Sequence, residues 1–334
     1  MRARLLLLTP VFHGYWRPIE RELGKLGYDV TVCRYDELPD ASAKLRHKLT
    51  VELPERLGRP APADDGTFTA RARDAVASDT FDIILQLKGD CFGPSYWESL
   101  AGTKARKYLW LYDEFRRTRH STDTLDAFDG LVLYNHSDHD ALAARGYETL
   151  YLPDAFDPAD TPRSPIHTNA VVFIGARNAP REQTLSALAD RGVPVLAVGR
   201  DWSRHPLDRA RTWSWRRPAV RSSRDVPRST GYALNAGAPA ALNVHFDQDG
   251  FTMRTFEIPG SGGVQLVDRD DVAEFYEPGR EVLVFHSPEE LAELSMRAIR
   301  DDRWGDAIRE AGRRRTLAEH TFAHRMRKLE TLWA

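Results

Sequence analysis

At 334 residues the chain is longer than one typical core supports, so two domains are expected. It is 42% hydrophobic and 29% charged with a mean hydropathy of -0.50, the balance of a soluble globular protein, and it contains no charge-free stretch long enough to cross a membrane. A net charge of -2 and a pI near 6.6 give no basis for general nucleic-acid binding.

The start, Met1 to Pro10, imitates a signal peptide for a few residues. Its apolar run is too short, no small-residue cleavage site follows and Pro10 ends it. Leu5–Leu8 therefore reads as a buried first strand, and the chain is expected in the cytoplasm. Trp16 to Leu26 reads as a helix closed by Gly27, Asp29–Cys33 as a second strand, Ala41 to Leu57 as a basic helix broken by Pro60-Ala61-Pro62, and Phe68 to Ala77 as another helix. Strands follow at Asp82–Leu87, Lys107–Leu111, Gly130–Leu133 and Thr149–Leu152, with a helix from Ser137 to Arg145. Strands alternating with helices predict right-handed crossovers and a parallel sheet covered on both faces.

Asp154 to Thr168, polar and broken by Pro158, Pro162 and Pro165, reads as an interdomain linker. A second alternation follows: strand Ala170–Ile174, helix Arg181–Arg191, strand Val193–Val198, an irregular stretch, a helix around Arg228–Ala236 and strand Ala241–His245. A helix carrying Glu257, strand Val264–Val267, a short helix and strand Val282–Phe285 complete it. Ser287-Pro288-Glu289-Glu290 is a strong helix start, and Trp304 to Trp333 reads as one or two closing helices. The fold class is α/β: two halves of one architecture, each expected as a parallel sheet, with polar carboxyl edges placed to face one another across a cleft.

Cys33 and Cys91 end apolar runs and read as small hydrophobes, forming neither a metal-ligand pattern nor a disulfide framework. The sequon Asn135-His136-Ser137 has no meaning in such a chain.

In open α/β sheets ligands bind outside the carboxyl ends of the strands. Polar residues gather there: His13-Gly14-Tyr15-Trp16, Lys88-Gly89-Asp90 and Tyr112-Asp113-Glu114 in the first half, Gly175-Ala176-Arg177-Asn178 and Gly199-Arg200-Asp201-Trp202 in the second. The most informative stretch is Gly250 to Gly263. Arg254 offers a planar fork of donors for phosphate or carboxylate, and Glu257 accepts from a pair of hydroxyls, as on a ribose. Gly262-Gly263 lets main-chain amides approach a ligand. Together these point to a nucleotide pocket, although an Arg254–Glu257 ion pair within the helix fits the same spacing.

Arg177, after a strand and a glycine and before a helix N-terminus, suits phosphate, with Arg181 one turn on. Pairing with Glu182 is the competing role. His13 is either a general base or a structural hydrogen-bonder. Asp113 and Glu114 are either cleft carboxylates or capping groups. Arg209 to Arg228 holds seven arginines, one aspartate, Trp213 and Trp215, and reads as a diphosphate wrap or a solvated face. Asp247-Gln248-Asp249 has the spacing of a divalent-metal motif or of a turn, and His136 and His139 lack a third ligand. No metal site is expected.

The run Arg254-Thr255-Phe256-Glu257-Ile258-Pro259-Gly260-Ser261-Gly262-Gly263 resembles the C-terminal signature of CgeB-like glycosyltransferases, relatives of the GT-B class that includes glycosyltransferase family 4. Val172-Phe173-Ile174-Gly175, Leu242-Asn243-Val244-His245, Phe275 to Glu281 and His320 to Arg325 resemble family segments in the same order. Before residue 170 the likeness rests on Lys88-Gly89 and Trp110-Leu111-Tyr112-Asp113.

The resemblance implies a GT-B enzyme of two Rossmann-like domains with parallel sheets facing a cleft: an acceptor-binding domain over 1–160, a nucleotide-sugar-binding domain over 168–310 and a closing helix over 311–334 that returns to the first. It implies a nucleoside-diphosphate sugar donor, with Glu257 on the ribose and Arg177 and Arg181 on the diphosphate. It implies a small-molecule or surface-polymer acceptor, no cofactor and no metal. His13 or Asp113 is the expected acceptor base if the reaction inverts, and the donor's own phosphate if it retains. The chain departs from family 4 in having no glutamate seven or eight residues before Glu257. A nicotinamide dehydrogenase is a poorer fit, because Pro10-Val11-Phe12-His13-Gly14 lacks the required glycine pattern. A non-catalytic nucleotide-sugar-binding protein is the other class, separable by product formation.

Overall fold

The computed structural model describes residues 2–38, 66–213, 216 and 218–333, without the side chains of His13 and Arg211. Ala41 to Leu57 lies outside the described residues, as does Trp215. The chain divides into two compact units, Met1–Pro153 with Arg325–Ala334, and Asp154–His324.

Unit one runs β1 (Arg4–Thr9), α1 (Trp16–Lys25), β2 (Asp29–Arg34), α2 (Gly66–Ala77), β3 (Ile83–Leu87), α3 (Pro94–Ala101), β4 (Arg106–Leu111), α4 (Thr122–Leu125), β5 (Gly130–Leu133), α5 (His136–Ala143) and β6 (Thr149–Tyr151). Its six strands pair in parallel in the order β2-β1-β3-β4-β5-β6. Leu5 to Leu8 and Ile83 to Leu87 are buried throughout, as strands covered on both faces require. α3, absent from the sequence analysis, has Pro94 at its first turn behind Gly93, but at eight residues its apolar pattern is too short to stand out. Asn135, the sequon residue, is buried and caps α5 by accepting the Asp138 N–H at 2.7 Å. The terminal residues close this unit: Arg325 Nε donates to the Pro153 carbonyl (2.8 Å) and Trp333 Nε1 to the Tyr28 hydroxyl (2.9 Å). Burial pushes the Cys33 thiol up to about 11, while Cys91 is half-buried.

Unit two runs β7 (Val171–Ile174), α6 (Ala179–Asp190), β8 (Val195–Val198), α7 (Pro206–Thr212), β9 (Ser222–Ser223), α8 (Arg228–Gly237), β10 (Ala241–Asn243), α9 (Arg254–Gly260), β11 (Gln265–Val267), β12 (Leu283–Val284), α10 (Pro288–Arg300) and α11 (Asp302–Glu319). The final helix, α12 (Phe322–Glu330), spans the division between units. The sheet order is β12-β11-β10-β7-β8-β9, again parallel. Asp154 to Thr168, expected as a linker, belongs to this unit. Phe156 is fully buried and bridges to Thr321, and the Ile166 N–H donates to the Ala233 carbonyl (2.8 Å). Burial is confined to residues 154–157, ahead of Pro158; the stretch that holds the three prolines is half-buried or exposed.

Both sheets reverse direction once. In unit one the chain leaves β1 for β2 and then returns to the far side of β1 with β3. In unit two it leaves β7 for β8 and β9 and returns to the far side of β7 with β10. At such a reversal the two connections leave in opposite directions, and a crevice opens at the carboxyl ends of the adjacent strands. The β1/β3 ends lead to His13 and Lys88, and the β7/β10 ends lead to Gly175 and His245.

Candidate functional site

At the end of β7, Gly175 leads into a loop that starts α6, where Asn178 Oδ1 accepts the Arg181 N–H (2.9 Å). Arg181 and Arg254 converge here from α6 and α9. Their guanidinium carbons stand 5.5 and 5.9 Å from the centre of the Phe173 ring. A Cβ on Gly175 would lie 3.1 Å from both terminal nitrogens of Arg254, so the missing side chain is what lets that guanidinium lie against β7. Arg181 is 9% exposed, its Nη1 donates to the Ala176 carbonyl (3.2 Å) and its buried Nε has no hydrogen-bond partner. Burial and then the charge of Arg254 bring its guanidinium down to about 10. A desolvated cation with a second, half-buried one near it is a standing cost that an anion relieves.

Arg177 stands apart from this pair. It forms a fork with Glu182 (Nη2 to Oε1 2.9 Å, Nε to Oε2 3.2 Å), donates from Nη1 to the Arg216 carbonyl (2.7 Å) and lies 5.7 Å from the Trp202 ring. Its charge is met within the protein, the role that competes with phosphate binding.

Glu257, one helical turn beyond Arg254, is 8% exposed and accepts the Tyr232 hydroxyl at Oε1 (3.0 Å). Gly262 and Gly263 close α9, and their N–H groups donate to the carbonyls of Pro259 and Ile258 (2.8 Å each). Gly262 has φ +89°, and a Cβ on Gly263 would lie 2.9 Å from the Asn235 carbonyl oxygen. Both amides, offered to a ligand in the sequence analysis, are used by the helix end. The glycine pair is explained by a left-handed cap and a close crossing with α8.

A buried polar chain backs the site. Asp268, just past β11, accepts the His245 N–H (2.9 Å) and pairs with its Nδ1 (3.0 Å); His245 Nε2 faces the Thr255 hydroxyl (3.2 Å), which accepts from Asn243 Nδ2 (3.0 Å). Burial pushes the imidazole below its ordinary value against the pull of Asp268. For Asp268 burial acts upward, but the hydrogen bonds and charge of His245 together with the Phe246 N–H outweigh it and hold the carboxyl low. Asn243, His245 and Thr255 stand in the family-like segments, whereas Asp268 was not singled out from sequence and its place after a strand was its only signal. Beside them the ends of β11 and β12 line a pocket of about 360 Å³ that includes Asp268, Phe285 and His286.

In unit one His13 lies in the short turn Phe12–Gly14 after β1. Asp113 follows β4, one strand beyond the reversal, and its Oδ1 accepts the Glu114 N–H (3.1 Å). Glu114 is fully buried, bonded by the Tyr134 hydroxyl (2.8 Å) and ion-paired with Arg117, so it serves the core. At the reversal Lys88 has φ +56° and Gly89 φ +68°. The Lys88 carbonyl is held by His120 Nε2 (2.8 Å) and Gln86 Nε2 (3.0 Å), and Tyr35 accepts the Gly89 N–H (3.1 Å).

The remaining sequence candidates have local partners. His136 stacks on Tyr151, with ring centroids 3.8 Å apart. In the arginine-rich stretch, Arg224 pairs with Asp208 (2.7 Å) and Arg228 with Asp160 (2.6 Å). Among the described residues no three His, Cys, Asp or Glu side chains cluster as metal ligands, and no helix is long and apolar enough to cross a membrane.

Burial holds both His245 and His120 below the ordinary histidine range. A depressed pKa means that the unfolded chain binds the proton more readily, so stability is intact above about pH 6.5 and falls as pH drops below it. Asp268 adds a second loss below about pH 4. Urea midpoints between pH 8 and 5 should decline below pH 6.5, with a shallower decline in His120→Gln and His245→Gln. Unchanged slopes in both variants would rule these imidazoles out.

The family model described as glycosyl transferase-like matches residues 177–331. No curated protein sequence matches the chain. Among solved structures, HepE of Anabaena in complex with UDP and glucose is 15% identical with a TM-score of 0.63, covering 99% of each chain. Sucrose-phosphate synthase of Thermosynechococcus elongatus is 14% identical with a TM-score of 0.65, covering 99% of this chain and 98% of that one. T4 phage β-glucosyltransferase is 12% identical with a TM-score of 0.57, covering 98% and 97%. The fold of the chain, two parallel six-stranded sheets, is that of GT-B glycosyltransferases.

Proposed function

We propose that the protein is a glycosyltransferase that moves a sugar from a nucleoside-diphosphate donor to an acceptor hydroxyl or amine. The observation that carries this is the Arg181–Arg254 pair at the reversal of the second sheet, with Glu257 one turn away. A buried guanidinium with a half-buried one near it suits a diphosphate, and as the sugar leaves they meet the charge that builds on it, in place before the reaction starts. They supply countercharge without a bound metal. Glu257, fixed by Tyr232, takes the ribose hydroxyls. Arg177, turned to Glu182, has the smaller part, and Gly262 and Gly263 act by fixing the end of α9. The partial family match over 177–331 and the likeness to HepE, solved with UDP and glucose, favour this reading and make UDP-sugars the first donors to try.

Unit one takes the acceptor, a small molecule or surface polymer, and His13 or Asp113 receives the acceptor proton if the reaction inverts. The CgeB-like likeness in residues 254–263 and a cytoplasmic location belong to the same reading.

The test is binding of UDP-, TDP- and GDP-sugars to the wild type and to Glu257→Ala, followed by product formation with candidate acceptors. Loss of two charged hydrogen bonds predicts donor binding weaker by about 10²- to 10⁴-fold in the variant. Equal affinity would take Glu257 out of the pocket. Donor binding without transfer to any acceptor would favour a non-catalytic binding protein.

A further inference from the structure

Lys88 and Gly89 leave β3 at the reversal of the first sheet, and both have a left-handed backbone, with φ +56° and +68°. Gly89 has to be glycine, because a Cβ there would lie 2.5 Å from Gln86 Nε2 and 2.7 Å from the Phe92 ring. Lys88 is under no such demand. A long side chain at positive φ is uncommon, and asparagine or glycine would hold the same turn at less cost. Neighbours on three sides enforce the strained turn. The Lys88 N–H donates to the Trp110 carbonyl (3.0 Å), and the Lys88 carbonyl is held by His120 and Gln86. Gln86 is fixed in turn by the Tyr96 hydroxyl, and the Tyr35 hydroxyl donates to the Leu87 carbonyl (3.2 Å) while accepting from Gly89.

The backbone of Lys88 is thus fully used, but its side chain is not. Lys88 is half-buried, and among the described residues its ammonium has no hydrogen bond or ion pair. The ammonium lies close enough to act on His120: burial pushes that imidazole down, the Lys88 charge works the same way, and the Lys88 carbonyl and Asp90 oppose them. His120 is therefore neutral at neutral pH, and the cation at this place is Lys88. Asp90 is engaged by the Arg119 N–H at Oδ2 (3.0 Å) and does not pair with Lys88. An unmatched cation on a rigid mount stands at the carboxyl edge where α/β sheets take their ligands. We infer that Lys88 binds a carboxylate or phosphate carried by the acceptor, and that the enforced turn serves to aim its side chain. This rests on the assignment of the acceptor to unit one. A neutral acceptor would leave the ammonium without a partner, whereas an acidic one gives it a charge-assisted hydrogen bond.

Three matched pairs of probes test it: glucuronate and glucose, glycerol phosphate and glycerol, hydroxybenzoate and phenol. Their binding is measured to the wild type, Lys88→Asn, Lys88→Arg and Arg254→Ala. Asparagine tolerates the left-handed backbone, so Lys88→Asn removes the ammonium without disturbing the turn and should melt no lower than the wild type. In at least one pair the acidic member should bind the wild type about 10- to 100-fold more tightly than its neutral partner, the worth of one charged hydrogen bond. Lys88→Asn should erase that margin, Lys88→Arg should keep it, and Arg254→Ala should leave it alone. No margin in any pair, or one that survives in Lys88→Asn, would overturn the inference, as would a margin that Arg254→Ala abolishes, since the anion would then sit on the donor arginines. UDP-sugar binding to the same proteins reads the donor site separately. A wild type that prefers the acidic probe through Lys88 but binds no nucleotide sugar would remove the glycosyltransferase reading and leave Lys88 as an anion site.

Discussion

Arg254→Ala is expected to transfer sugar about 10²- to 10³-fold more slowly than the wild type, the usual loss when one fixed donor is taken from a developing oxyanion. Arg254 and Arg181 lie close enough for the charge of Arg254 to depress the buried Arg181. Removing Arg254 relieves Arg181 of that charge but takes away half of the anion site, so pyrophosphate and donor affinities should fall together. Arg177→Ala is the control. It breaks the fork to Glu182 and leaves that partly buried carboxylate without its cation, so it should cost stability while affecting donor binding less. Arg254→Ala with turnover within threefold of the wild type would end the proposed role of the pair.

Gly312→Ala should lower stability by about 1–3 kcal/mol, as overpacking does, even though alanine is the better helix former. Gly312 lies inside α11, where an added Cβ would sit 2.5 Å from the Glu281 carbonyl oxygen and 3.2 Å from Pro259 Cβ. Neither the carbonyl nor the proline ring can swing away. Pro259 belongs to α9, so the strain reaches the helix that carries Arg254 and Glu257, and donor binding should weaken as well. Gly305→Ala in the same helix is the matched comparison. Its Cβ would meet only Val264 Cγ2 at 4.0 Å, and it should be neutral or stabilising by up to about 1 kcal/mol. Thermal melts of the two variants side by side decide the matter, and equal stability would show that the crossing has more room than the backbone suggests.

The alternation of strands and helices was legible in the sequence. Strands buried on both faces appear as unbroken apolar runs, as at Leu5–Leu8 and Val171–Ile174, and the glycines and polar residues after them mark the carboxyl edge where ligands bind. Short or irregular elements, such as α3 and the two-residue β9, had too few residues for any period to show. The residues of the candidate site were on that edge, so their types and places could be named.

Their division of labour was decided only by the tertiary structure. From sequence Arg177 had the better claim to a phosphate than Arg181. Folding turns Arg177 onto Glu182 and sets Arg181 beside Arg254, a residue on a distant helix. The amides of Gly262 and Gly263 serve a helix end, and the left-handed Phe246 (φ +55°) had no local signature, because the partner of its N–H is Asp268, just past β11. Local propensity and hydrophobic period act over a few neighbouring residues and set the elements. Whether a charge is paired, a backbone strained or a glycine crowded depends on atoms far apart in the chain, and only their packing brings those together.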